Sequence, residues 1–175
     1  MKRNLKTATL LALASTFPAG AALGAELSLD LTLPRIDTAE YHRPYVAVWL
    51  ESKDRKVVRD LALWYDTNMA DDEGRTWLKD LRQWWRLSGR YQKVPAEGVS
   101  SASRPVGKHT VSVTADAPAL QDLPAGQYEV VVEAAREKGG RELIRLPLPW
   151  PVDKAVSEQQ AGKHELGEVT LKATP

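Results

Sequence analysis

Apolar and polar residues alternate along much of the chain, a period of two that belongs to strands. Leu27, Leu29, Leu31 and Leu33 fall on one side of an extended segment, Ser28, Asp30 and Thr32 on the other, and Pro34 ends it. The stretch 45–51 is denser in apolar residues, as in a strand near the centre of a sandwich. A turn over 52–55 leads back along 57–65, which predicts a hairpin. Later strands are predicted over 109–114, 128–135 and 142–148, with a closing one near 164–171 and turns at 123–128 and 138–141. The middle of the chain breaks this pattern. Trp77, Leu78, Leu81, Trp84 and Trp85 recur at three- and four-residue spacing, which predicts a helix over about 76–87. Asp71, Asp72 and Glu73 stand where negative charge suits a helix N-terminus, and Gly89 is placed to stop the helix. The segment 91–107 is small, polar and broken by Pro95, Gly98, Pro105 and Gly107, and reads as an ordered loop. About seven short strands and one inserted α-helix predict a mainly β fold, an immunoglobulin-like β-sandwich.

The first residues follow a different rule. Lys2, Arg3 and Lys6 precede an apolar stretch over 8–17, Pro18 and Gly20 break it, and small residues follow to Ala25. This is the order of a secretory signal peptide, with cleavage expected near Gly24 or Ala25. The apolar run is too short for a membrane anchor, which takes about 20 residues, and no later segment is apolar enough to span. The expected layout is a cleaved signal over 1–25 and a single sandwich domain over 26–175. A domain of that size can bury a core without metal or disulfide staples. It has to, since the chain contains no cysteine. The six tryptophans are the natural core candidates. Without Lys2, Arg3 and Lys6 the charge balance turns slightly acidic, with both signs interspersed. That argues against nucleic acid as partner, which calls for a basic face. An envelope protein or a small ligand is the expected partner.

Candidate chemistry is sparse. The chain has no Gly-x-Ser-x-Gly, no Gly-rich phosphate loop and no cysteine, so no catalytic residue is predicted. His42, His109 and His164 sit on three separate segments without ligand spacing, and no metal site is predicted. Adjacent Trp84 and Trp85 cannot face the same way; one is expected at a groove edge or in solvent, in reach of a ligand, while Trp77, Leu81 and the other form a core-facing helical stripe. Glu133 and Glu137 are expected to point outward as solvated charges paired with Arg136 and Arg141.

Four blocks in order, 41–49 (YHRPYVAVW), 58–64 (VRDLALW), 77–85 (WLKDLRQWW) and 132–137 (VEAARE), resemble an uncharacterised bacterial periplasmic family, the DUF2271 family. The turn 123–128 (LPAGQY) is similar to one in the immunoglobulin-like domain of flagellar hook-capping proteins. The family resemblance implies a periplasmic protein working beside flavin-transferring and iron- or redox-linked envelope proteins. On that footing the chain reads as a non-enzymatic binding or accessory module of such a system, without a cofactor. The alternative is a covalent flavoprotein. Glu97, Gly98, Val99, Ser100, Ser101, Ala102 and Ser103 resemble the target motif of FAD:protein FMN transferases, in which the last hydroxyl receives FMN from a flavin transferase. Glu97 replaces the motif's Asp, and Ser103 stands where Thr is commoner. The same seven residues also suit a plain Ser- and Gly-rich surface loop, and both readings stay open.

Overall fold

The computed structural model describes residues 26–175; the signal-like segment and its expected cleavage point lie outside the described residues. In chain order the strands are β1 (Glu26–Leu33), β2 (Tyr45–Ser52), β3 (Val58–Tyr65), β4 (Ser100–Ala102), β5 (Gly107–Val113), β6 (Gly126–Ala135), β7 (Arg141–Trp150), β8 (Val156–Ala161) and β9 (Glu168–Thr174). Two short helices, α1 (Glu73–Thr76) and α2 (Arg82–Leu87), lie between β3 and β4. The strands form two sheets, ordered β5-β1-β9-β8 and β4-β3-β2-β6-β7. Neighbours run antiparallel except β3 and β4, which are parallel.

The alternation of β1 works as expected: its four leucines are buried between the sheets, while Ser28, Asp30 and Thr32 stay partly exposed. Val111, Val113, Val169, Leu171 and Ala173 extend that inner face, and Val46, Val48, Leu50, Trp64, Val130, Val132, Ile144, Leu146 and Leu148 meet it from the second sheet. The second sheet is also buried on its other side. Ala47, Trp49, Leu63, Tyr65, Val131 and Ala135 pack there against Leu78, Leu81, Trp84 and Val94. The density of apolar residues in β2 and β6 follows from this double burial.

Three local devices shape the second sheet. Val48 pairs with Ala62 but Trp49 pairs with Asp60, so Leu61 is the extra residue of a β-bulge. Leu61 and Ala62 both enter the inner core as a result, and Asp60 is re-aimed to the outer side. The Tyr128 hydroxyl donates to the Pro124 carbonyl at 2.7 Å, a tyrosine-corner contact that locks the turn into β6. Pro147 and Pro149 sit on β7, an edge strand where the missing N–H groups cost no ladder bond.

The helical region departs from expectation. No single helix spans 76–87; α1 and a 3₁₀ turn over Trp77–Asp80 precede α2, and Leu81, at φ −75° and ψ 70°, separates them. The sheet beneath is the reason. Glu133 on β6 is fully buried, and its carboxylate accepts the N–H groups of Gln83 (3.1 Å) and Trp84 (2.8 Å), the first turn of α2. The expectation that Glu133 is a solvated outward charge is therefore corrected: it points outward from the sheet, but into the covering layer. The break also turns Trp77 away from the core, where it is 37% exposed, while Leu78, Leu81 and Trp84 go in.

Two strands were not legible in the apolar pattern. β4 lies within the segment read as a loop. β8 is an edge strand of mostly exposed residues, Ser157, Gln159 and Gln160 among them, that carries little apolar signal. The closing strand begins at Glu168 rather than His164. Residues 163–166 instead wrap Glu142.

Candidate functional site

The seven-residue motif is split by its own strand. Ser100, Ser101 and Ala102 pair in parallel with Leu63, Trp64 and Tyr65, and the Ser103 N–H donates to the Tyr65 carbonyl at 2.9 Å. At the start of β4, Ser100 Oγ accepts the Ala96 N–H at 3.0 Å, which ties this hydroxyl into a tight turn. Ser101 lies opposite Trp64 and is half-buried. Glu97 lies within that turn, on a separate cavity shared with Arg59, Asp60 and Gln92. The structure thus keeps Glu97 apart from Ser103 and leaves Ser103, half-buried, at the far end of β4.

That end opens on a cleft of about 400 Å³, within the size range of small-ligand sites. Ser103 and Ala102 line it. Tyr41, His42, Arg43 and Tyr45 reach it from the start of β2, Asp66, Asn68 and Met69 from the end of β3, and Ala135 and Glu137 from the end of β6. Trp77 and Asp80 close it from the covering layer. Four strand ends and the broken helix converge here because β2, β3 and β6 are antiparallel neighbours and β4 is laid parallel to β3.

The lining is aromatic and polar. Tyr45 meets Tyr65 edge-on, with ring centroids 6.2 Å apart. Burial raises the Tyr45 phenol, and Tyr41 as well, above the ordinary tyrosine range, so both stay neutral. His42 is flanked by Glu40 at 3.3 Å and Glu137 at 3.4 Å. Asp66 accepts the Asn68 N–H at 3.0 Å. Arg43 is exposed and makes no ion pair or hydrogen bond among the described residues. Lys79 Nζ stands 5.6 Å from the Trp77 ring centroid.

The other residues singled out from sequence lie elsewhere. Trp84 is 1% exposed in the outer core and donates Nε1–H to Asp60 at 3.1 Å. Trp85 is half-buried at the edge of the same cluster. His109 Nε2–H donates to the Pro105 carbonyl at 2.7 Å and its ring meets Trp64 edge-on, whereas His164 lies in the loop around Glu142. The three histidines do not meet, and among the described residues no group of three or more His, Asp or Glu side chains is arranged to hold a metal ion. The spacing places Trp77 in the core; its position on the cleft wall depends on the break at Leu81, which periodicity does not reveal.

A two-sheet sandwich with one sheet covered by helical turns, and a cleft at the strand ends, defines a small β-rich module. The chain belongs to the family described as predicted periplasmic protein (DUF2271), whose model matches residues 26–168. No curated protein and no solved structure matches it. No helix among the described residues is long and apolar enough to cross a membrane.

Proposed function

We propose that this periplasmic protein is a non-enzymatic carrier module that holds FMN by a phosphoester on Ser103 and works within an envelope redox system. The observation that carries the reading is the position of Ser103. It is the acceptor residue of the motif, it is accessible, and it lines a cleft with Tyr41, Tyr45 and Trp77, side chains suited to a flat ring. Ser100, by contrast, is committed to its turn.

Attachment follows from ordinary phosphoryl chemistry. Ser103 Oγ forms a bond to the flavin-side phosphorus of FAD, the pyrophosphate bond breaks, AMP leaves, and the hydroxyl proton passes to a base of the flavin transferase. The attached group supplies electron uptake and release, with envelope redox proteins as donor and acceptor. The chain's own residues bind and orient it: β4 fixes the acceptor backbone through Tyr65, and the neutral tyrosines keep an uncharged surface beside it.

Intact mass after export together with a flavin transferase tests this. The chain is expected to begin just after Gly24 or Ala25 and to carry the mass of one FMN less water; Ser103→Ala is expected to remove that increment, and Ser101→Ala to keep it. An unmodified mass under these conditions returns the protein to a plain binding module of the same cleft.

A further inference from the structure

We infer that the cleft beside Ser103 is itself a recognition pocket for the isoalloxazine ring and phosphate of a flavin, with Trp77 as its ring wall and Arg43 as its phosphate cation. This rests on the flavin reading for the identity of the ligand, but it concerns affinity built into the folded chain, not the ester. The covering layer leaves Trp77 and Tyr91 open, and of the two it is Trp77 that lines this cleft; it is 37% exposed while Leu78, Leu81 and Trp84 beside it are sealed. It forms the shared wall of the Ser103 cleft and the adjoining cavity next to Arg82 and Arg141. An indole kept at the mouth of a cleft is a stacking surface.

The polar lining fits the rest of such a ligand. Of the three carboxylates, Glu137 faces His42 and Asp66 faces the Asn68 N–H, which leaves Asp80 as an acceptor for the imide N–H of the ring. Arg43 is a cation on the same cleft with no partner among the described residues, and a guanidinium is the side chain best shaped for phosphate.

Fluorescence separates this inference from the attachment reading, because an indole in contact with isoalloxazine quenches its emission. Free FMN and free riboflavin are titrated into the Ser103→Ala protein, and emission of the loaded wild type is compared with loaded Trp77→Leu at equal mass-measured loading. Quenching of both free flavins is expected, with Trp77→Leu restoring emission several-fold in the free and loaded forms alike. Arg43→Gln is expected to weaken FMN about tenfold or more, the size of one charge-assisted contact, while riboflavin binding is unchanged. Loading at Ser103 with emission indifferent to Trp77 overturns the pocket and leaves the ester standing. Trp77-dependent quenching of free FMN by a chain that never becomes loaded supports the pocket and removes the ester. Absence of both sinks both.

Discussion

Glu142 on β7 accepts the N–H groups of Lys163, His164, Glu165 and Leu166 at 2.6–3.0 Å. Burial pushes its carboxyl up, but the four donors outweigh it and hold the group below the ordinary carboxylate range. A depressed folded-state pKa stabilises the fold above the unfolded-state value, about 4.3 for Glu, and that contribution is lost as pH falls through the depressed value. Glu142→Gln is therefore expected to lower Tm at neutral pH, and the gap to wild type is expected to narrow as melting curves are taken down through the acidic range. A constant gap would show that the N–H cage does not depend on charge. Residues of this kind are hard to find in sequence. Glu133 and Glu142 each follow strand alternation, which tells which side a carboxylate takes but not whether a helix terminus or a loop arrives there to meet it.

At the scale of elements, sequence reading succeeds where one period governs a whole segment. β1 carries four leucines on one face, and all four are buried. It fails where tertiary contact breaks the period. The spacing of Trp77, Leu81 and Trp84 suits an unbroken helix, yet the N–H groups of Gln83 and Trp84 turn to Glu133 and a new helix starts there. The bulge at Leu61 is invisible in the same way, although it is what presents Asp60 to Trp84, Ser88 and Gln92. Trp84 anchors this layer by packing and by its indole N–H. Trp84→Ala is expected to cost about 3–5 kcal/mol in denaturant unfolding. A cost below about 1 kcal/mol would mean that the covering layer adds little to the fold. Ser103→Ala, which touches only the cleft rim, is expected to leave the denaturant midpoint unchanged.

At the scale of the whole molecule, a buried ion pair adds to the apolar core a link between segments of the two sheets. Arg136, just past β6, meets Glu165, just before β9, at 2.9 and 3.1 Å, with 7% and 3% of the side chains exposed. The Gly140 N–H adds a third bond to Glu165 at 2.7 Å. Removing one partner strands a buried charge, so Glu165→Ala is expected to cost roughly 3–5 kcal/mol. The double change Arg136→Met with Glu165→Leu is expected to recover most of that, as equilibrium unfolding of the three proteins will show. If the single change is as mild as the double, the pair is not insulated from water.

By itself the chain's apolar pattern determined that two sheets close over a common interior, because a period of two can bury only one side of a strand unless something covers the other. The sequence also determined that Ser103 sits on a small-residue segment, since that depends on residue type alone. Only the tertiary structure decided that this segment becomes a strand beside β3, that its last hydroxyl rather than Glu97 reaches the aromatic cleft, and that Trp77 rather than Trp84 or Trp85 forms the wall. Those outcomes depend on which strand ends meet and where a helix breaks, and both are settled by contacts between residues far apart in the chain.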